Sequence, residues 1–580
     1  MLNNSRDTIW QIKDDPCSAL SLAGKLGISE LLATLLIHRN ITSTDSAQSF
    51  LFPKLGVLRD PFLLKDMDRA AELTKSFIVE KKKITIYGDY DADGITATSL
   101  LYDFFLSLKI PISFYIPHRL EEGYSLNEKA VREIAEDGTD LIITVDCGIN
   151  SFSEITLAHK LGMEVIVTDH HQLPSGFKPL CPTINPLRPD SSFPFKELSG
   201  VGLAFYLAIA IRSNLRDTGF FQDTSEPDLR AYLGLVAIGT IADIVPLIEE
   251  NRILVKSGLT VLTKTRKPGI NALLRVSGIK NNQAITTRDI AFRLAPRLNA
   301  MGRLGPATRA VHLLTTDDET EALAIATQMD SLNAQRQKIQ NGIVLECREK
   351  IERMKDLKRH RTIVLSDPQW HRGVIGIVAS KIVDEYYRPT LLFTDEGDVL
   401  KGSGRSIDGF DLYNALFDLS DLLMQFGGHE YAAGIILESK NIEAFCDKFE
   451  ELASKKLDTK DMAPKIEVDT KLGLESINLQ TLKDIEMLLP FGHKNPQPIF
   501  WAGPVKVVFS KAVGNDHLKL TIQEKGITFD CIAFGQAALH PLQGKVVDIL
   551  FHVEINTWQG TESIQLVIVD LRLNEKVKSA

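Results

Sequence analysis

Apolar runs of four or five residues recur between about residues 81 and 245, each bounded by polar or glycine-containing turns: 84–87 (ITIY), 112–116 (ISFYI), 141–145 (LIITV), 164–168 (EVIVT) and 235–239 (LVAIG). Runs this short, rich in β-branched residues, read as strands. Stretches such as 96–107 and 127–136 lie between them and read as helices. That alternation predicts a mostly parallel, doubly wound α/β sheet. Residues 1–80 read as helices with short breaks, and 251–345 as a mainly helical connector between two bodies. A second, smaller α/β pattern follows, with strand 362–366, helix 374–385, strand 390–394, a glycine-rich loop at 402–409 and a Gly-Gly turn at 427–428. From about 464 the pattern turns to strands at 504–512, 517–523, 527–534, 545–555 and 562–572. Five strands in about 70 residues suit a small barrel such as the OB-fold, best known for single-strand binding; other small barrels and sandwiches would also meet the count. The expected segments are an N-terminal helical region (1–80), an α/β domain (81–250), the connector (251–345), a smaller α/β domain (346–460) and an OB-like barrel (464–575).

At 580 residues the chain is too long for one core. Its longer apolar runs, such as Val201 to Ile211, fall well short of a membrane span. The start MLNNSRDTIWQIKDD shows no secretory pattern. Six scattered cysteines with no CxxC argue against zinc ribbons and disulfide frameworks, and fit a reducing cytoplasm.

Net charge is −9, which alone leans against a nucleic-acid partner. Its distribution reverses that reading. Between Asn251 and Thr316 twelve bases face one acid, Asp289, so this segment stands at +11. Such segregation is expected of a polyanion binder, although a solvated helical face would carry the same charges.

The sharpest feature is Gly88-Asp89-Tyr90-Asp91-Ala92-Asp93-Gly94, three alternating carboxylates directly after a strand. A calcium loop would need a bidentate Glu at position 12, where this chain has Leu100. Other predicted strands also end in acids: 141–145 in Asp146, 164–168 in Asp169-His170-His171, and 235–239 leads to Asp243. In open α/β sheets the ligand site lies along that carboxyl edge. Acids gathered there repel one another unless cations neutralise them.

The donor set Asp89, Asp91, Asp93, Asp146, Asp169, Asp243, His170 and His171 is mostly oxygen with one or two imidazoles. Zinc favours more nitrogen or sulfur; Mn²⁺ or Mg²⁺ suits this set, and histidine tips the choice toward Mn²⁺. So many donors fit two ions about 4 Å apart, the arrangement that activates a water and stabilises a phosphoryl displacement.

YGDYDADG, VDCG, TDHH and GTIADIVPL resemble the successive motifs of the DHH phosphoesterase superfamily. SGVGLAFYLA (199–208), RLAPRLNAMGR (293–303), WHRGVIGIVASKI (370–382), GSGRS (402–406) and FGGHEYAAG (426–434) extend the resemblance, along nearly the whole chain, to its single-stranded-DNA-specific exonuclease branch. The resemblance implies that Asp91 and Asp146 hold one ion, and that Asp93, Asp146, His170 and Asp243 hold the other, with Asp146 bridging. Relatives that hydrolyse pyrophosphate carry a histidine where this chain has Tyr87, so one ion is held more weakly or by Asp89 instead. Asp89 and His171 are the catalytic candidates, His171 contacting phosphate as acid or electrostatic stabiliser. Arg293, Arg297, Arg303, Ser403, Arg405, Gly427, Gly428 and His429 are the substrate-binding candidates; 346–460 would be a DHHA1-like substrate-binding domain. Glycines let backbone N–H groups approach phosphate, and Arg grips it bidentately. Cys147 reads as a packed thiol.

The implied activity is a two-metal exonuclease digesting single-stranded DNA from the 5′ end in recombination and repair. A single-strand-binding protein and a helicase are the implied protein partners, and no membrane is involved. Two alternatives stand beside it: a phosphodiesterase of short RNA or cyclic dinucleotides, which would need neither connector nor barrel, and a non-catalytic DNA-binding scaffold, which would have lost its acids.

Overall fold

The computed structural model describes residues 8–119, 121–280, 283–354, 357–514, 516–558 and 560–574. The chain forms two units. One comprises Arg59–Val245 and Ser257–Pro464; the other comprises Met1–Leu58, Pro246–Lys256 and Lys465–Ala580. The first 80 residues are therefore not one region: those up to Leu58 fold with the barrel, and the helix Met67–Val79 belongs to the larger unit.

The larger unit holds a fully parallel five-stranded sheet. Its strands are β1 (Ile84–Gly88), β2 (Ile112–Tyr115), β3 (Leu141–Val145), β4 (Glu164–Thr168) and β5 (Thr183–Ile184), in spatial order 2-1-3-4-5. β1 and β3 are buried along their whole length, as strands covered by helices on both faces must be. The strand order reverses between β1 and β3, and a crevice for ligand opens at such a switch point. Gly88 of β1, Val145 of β3 and Thr168 of β4 pair in one row, so their successors Asp89, Asp146 and Asp169 leave the sheet side by side.

The run 235–239 is not a strand. It lies inside the helix Leu233–Ala242, buried from Leu233 to Ile241. A helix buried on all sides has no polar stripe to reveal its period, so its sequence imitates a central strand. Asp243 thus comes from a helix end and not from a strand.

The second sheet of this unit is mixed, in the order Gln425–His429, Ala432–Glu438, Val399–Arg405, Thr390–Asp395, Ile363–Asp367. Two expected loops are strands here. The glycines at 402 and 404 sit in Val399–Arg405, where a Cβ would lie 2.4 Å from the Phe393 ring and 2.5 Å from Leu391, respectively. Gly427 and Gly428 belong to Gln425–His429, and the reversal falls after His429. Glycine marks close packing at 402, 404 and 428, whereas a Cβ at Gly427 would meet no neighbouring atom within 4 Å.

The smaller unit closes a five-stranded barrel from Phe500–Val513, His517–Glu524, Ile527–Ala533, Thr561–Leu573 and Val546–Trp558, the last pairing back onto the first. Leu518, Leu520 and Ile522 point inward, with Lys519 and Thr521 between them, the period of two that a barrel wall requires. Leu32, Leu35, Leu36, Phe50 and Leu51 from two N-terminal helices share this core. Arg252 is fully buried in the same unit, its guanidinium 3.7 Å from the Phe50 ring centre and donating to the carbonyls of Phe50, Leu488 and Leu489.

Candidate metal centre and phosphate-binding face

The acidic loop after β1 starts a helix. Asp91 is the N-cap of Ala92–Ser107, accepting from the N–H groups of Asp93 and Gly94. A Cβ at Gly94 would lie 2.6 Å from the Asp89 carbonyl, so the loop closes only around glycine. Asp93 accepts from the N–H groups of Gly200 at 2.6 Å and Val201 at 2.9 Å, first-turn donors of the helix Gly200–Asp217 that have no partner within the helix. A side chain at Gly200 would collide with Asp146, which lies 2.6 Å from the ideal Cβ. Asp146 itself sits at φ 62°, the left-handed region that Asp tolerates better than most residues.

Around this loop the ligand atoms converge. His170 Nε2 lies 3.1 Å from Asp146 Oδ1, 3.5 Å from Asp243 Oδ2 and 4.0 Å from Asp93 Oδ2. Three groupings each bring ligand atoms within 4.8 Å of one another: Asp93 with His170 and Asp243, Asp89 with Asp91 and Asp146, and Asp146 with His170 and His171. Asp89, whose role the sequence leaves open, therefore sits beside Asp91 and Asp146. Tyr87 does not take part; it is buried and donates to the Ser125 carbonyl.

The electrostatics of the cluster call for cations. Burial and then the charge of Asp91 push Asp89 far above the usual carboxylate range and Asp93 up to about 7. Burial, followed by the neighbouring carboxylates, pushes Asp146 and Asp243 up as well. Burial and then His171 hold the His170 imidazole down, at about 4, so it is a neutral nitrogen donor. Asp89 Oδ1, Asp146 Oδ1 and His170 Nε2 are buried without a hydrogen-bond partner. Buried polar atoms of this kind normally have one. Oxygen-rich donors around one neutral imidazole fit Mn²⁺ or Mg²⁺.

Asp169 differs from the expected ligand set. Its carboxylate accepts from the N–H of Ile149 at 2.9 Å, from the N–H of His171 at 3.0 Å and from His171 Nδ1 at 2.7 Å. Burial works to raise its pKa, but these bonds with His171 outweigh it and hold the carboxyl below its usual value. Its acceptors are occupied, so it orients His171 and leaves the ligand work to others. Against the opposing effect of burial, Asp169 raises His171 to about 9. Tyr124 Oη stands 3.0 Å from the same Nδ1 and donates to the Asp146 carbonyl. The ring therefore keeps Nε2 for other work. Cys147 is buried in the core, as its sequence context suggests.

The connector contributes a brace and a cation. Asn299 accepts from the Ala92 N–H, and Gly302 lies so close to the acidic loop that a Cβ would be 2.3 Å from the Tyr90 carbonyl. Arg303 follows, donating to the Gly373 carbonyl. Burial, followed by the charges of Arg119, Arg336 and Arg405, lowers its pKa to about 9 against the opposing pull of Asp91. Arg303 is thus within electrostatic reach of three other guanidinium groups and of Asp91, and Arg119 is within reach of Asp89. Arg119 also covers the Tyr90 ring at 4.8 Å.

Arg293 and Arg297 do not join them. Arg293 pairs with Asp289, and Arg297 pairs with Asp330 at 2.7 Å and donates to the Arg293 carbonyl. The basic connector is therefore not one continuous stripe.

The two glycine-containing motifs come together through strand register. Ser403, Gly434 and Gly427 form one row; Arg405, Ala432 and His429 form the row two residues along. Directly paired residues share a face, so Ser403, Arg405, Gly427 and His429 face one way. Only small residues separate Arg405 from His429, about 10 Å away at two strand spacings. Gly428 faces the other way at φ 148°, where a Cβ would meet the Ala432 carbonyl at 2.2 Å. Arg405 Nε donates to Ser380 Oγ, which holds the guanidinium in place.

A parallel sheet that gathers Asp-His-His and five further acids at its switch point defines the class of DHH phosphoesterases. Family models agree: the DHH family N-terminal domain matches residues 83–240, the DHHA1 domain 360–455 and the RecJ OB domain 468–570. The chain is 38% identical to the single-stranded-DNA-specific exonuclease RecJ of Bacillus subtilis over 98% of its own length and 71% of that protein, and 38% identical to the RecJ of Escherichia coli K12 over 87% and 90%. It resembles the crystal structure of Thermus thermophilus RecJ in complex with Mn²⁺ at a TM-score of 0.82 and 30% identity, covering 98% of this chain and 80% of that one. The chain belongs to the RecJ family.

Proposed function

We propose that this protein is a metal-dependent exonuclease that removes nucleotides from single-stranded DNA, working from the 5′ end. The observation that carries this reading is the acidic cluster beside Arg119 and Arg303, with Arg336 and Arg405 in electrostatic reach of Arg303, a cationic patch next to a candidate metal centre. A terminal phosphate held by those guanidinium groups sets the next phosphodiester over the acids.

Asp89, Asp91 and Asp146 would hold one divalent ion, and Asp93, His170 and Asp243 the other, with Asp146 close enough to both groups to bridge. Two Mn²⁺ or Mg²⁺ ions held there supply an activated water and neutralise charge on the attacked phosphate. His171, fixed at Nδ1 by Asp169, keeps a proton at Nε2 for a phosphate oxygen or the leaving oxygen. Ser403, Arg405, Gly427 and His429 offer the opposite wall, where a strand backbone can lie over small residues.

The barrel supports binding of longer strands, the use OB-folds commonly serve. Recombination and repair is the setting that fits a single-strand exonuclease, with a single-strand-binding protein and a helicase as partners in the cytoplasm. No single described helix is long and apolar enough to cross a membrane.

Oligonucleotides labelled at the 5′ or the 3′ end, incubated with Mn²⁺, Mg²⁺ or a chelator, test the reading. Release of the 5′ label first, abolished by chelator, is expected. Metal-independent hydrolysis would overturn the mechanism, and loss of the 3′ label first would overturn the polarity.

A further inference from the structure

The charge excess of the connector leads to a second site. Of its twelve bases, Arg252 and Lys256 serve carbonyls inside the barrel unit, Lys267 pairs with Asp103, Arg293 with Asp289 and Arg297 with Asp330, and Arg303 turns to Gly373. Three others, Arg266, Arg275 and Lys280, are exposed, and among the described residues none of them pairs with an acid. All three line one half-open cavity of about 670 Å³. Its base is aliphatic, with Leu262, Ile279 and Ile285 buried, and Thr263, Asn271 and Gln283 add hydrogen-bonding groups. Among the described residues Glu319 is the one acid of the lining, so the wall carries a net charge of +2.

This cavity is not the catalytic crevice. It abuts Lys267, whose Nζ lies 2.6 Å from Asp103. Asp103 is ten residues beyond Asp93 on the helix Ala92–Ser107, about 15 Å along its axis. At a stacked rise of about 3.4 Å per nucleotide that span corresponds to about four to five nucleotides.

We propose that the cavity is an exosite for the sugar–phosphate backbone of single-stranded DNA, engaged by nucleotides beyond those in the catalytic crevice. The proposal rests on the substrate assignment above. Arg, Lys, Thr, Asn and Gln are the side chains that ordinarily contact phosphate and sugar, and all five types line it. Among the described residues no aromatic ring lines it, so it offers no platform for stacking bases and reads backbone alone. An acidic protein segment is the competing occupant. The backbone is favoured because a strand whose end is held at the metal centre is already tethered within reach.

The test combines Arg266→Gln, Arg275→Gln and Lys280→Gln in the full chain, all at exposed positions. Binding is measured in chelator by salt titration, with strands of about 30 and about 4 nucleotides. With three fewer phosphates neutralised, the slope of log affinity against log salt flattens by about two for the long strand. The short strand keeps its affinity and its Mn²⁺-dependent hydrolysis. A long strand made abasic beyond its fifth nucleotide shows the same flattening. An unchanged slope in the folded variant would overturn the exosite, as would equal losses on both lengths. So would an oligo-glutamate peptide that displaces the long strand more effectively than an unlabelled oligonucleotide of equal charge. Failure of the wild-type protein to hydrolyse the short strand would instead count against the catalytic reading.

Discussion

His171 Nδ1 lies 2.7 Å from Asp169 Oδ1, and the same carboxylate is filled by the N–H groups of Ile149 and His171. Asp169 is fully buried, and His171 is the partly exposed end of the pair, the end proposed above to face phosphate. Asp169→Asn should therefore lower turnover by about 10–100-fold, the usual effect of losing an orienting partner, with little loss of bound metal. Metal analysis of the purified variant beside steady-state rates checks this. Loss of an ion in step with activity would return Asp169 to the ligand set.

Asp146 belongs to the grouping with Asp89 and Asp91 and lies 3.1 Å from His170 Nε2 of the grouping with Asp93 and Asp243, so removing its charge should disable both. Asp146→Asn is the informative change, because Asn also tolerates φ 62° and alanine does not. Turnover should fall well beyond tenfold, a barrier increase above about 1.4 kcal/mol. Thermal stability without metal should hold or rise, since one of several repelling carboxylates is gone. A variant that keeps a tenth of wild-type turnover would rule out bridging.

Much of this arrangement is legible from residue order, and the reason is geometric. A parallel strand delivers its next residue to a common edge, so Asp89, Asp146 and Asp169 could be aligned from their strands alone. Asp243 was legible as an acid near that edge, but its carrier was not, because Leu233–Ala242 is apolar all round. Arg119, Tyr124 and Asn299 sit singly among residues of no particular period, and only folding brings them to the acids. Counting charges found the basic connector but could not see distant partners such as Asp103 and Asp330, or carbonyls that occupy Arg252.

Metal-free protein should show a particular pH dependence. Burial and Asp91 raise Asp93 to about 7, above an unfolded value of about 4. A carboxyl raised in the folded state contributes stability that is complete below about pH 4 and is lost as pH rises through about 7. Thermal melts in chelator should therefore fall between pH 5 and 8, and Mn²⁺ should remove most of that fall by replacing protons. Asp93→Asn should flatten the chelator profile. A flat wild-type profile would mean that the cluster is already neutralised by groups of the chain itself.

Deleting the barrel looks like a simple way to isolate the catalytic unit, and the fold argues against it. Leu32, Leu35, Leu36, Phe50 and Leu51 complete their burial against barrel residues such as Val505 and Leu518. Truncation after Pro464 would expose them together. At about 1.5–3 kcal/mol for each large apolar side chain, the loss is on the order of 10 kcal/mol, comparable with the whole stability of a typical domain. Arg252 would lose the carbonyls of Leu488 and Leu489 in the same cut and be left a buried cation beside Phe50. A chain of residues 1–464 should therefore aggregate more strongly than 59–464, which leaves only Pro246–Lys256 of the barrel unit without its partners. Arg252→Gln should be milder than truncation in the full chain but still destabilising by several kcal/mol, since a guanidinium serving several carbonyls leaves acceptors unpaired when it goes. Size-exclusion chromatography of the two truncations decides the matter: a well-behaved 1–464 chain would mean that the N-terminal helices find their partners within the larger unit.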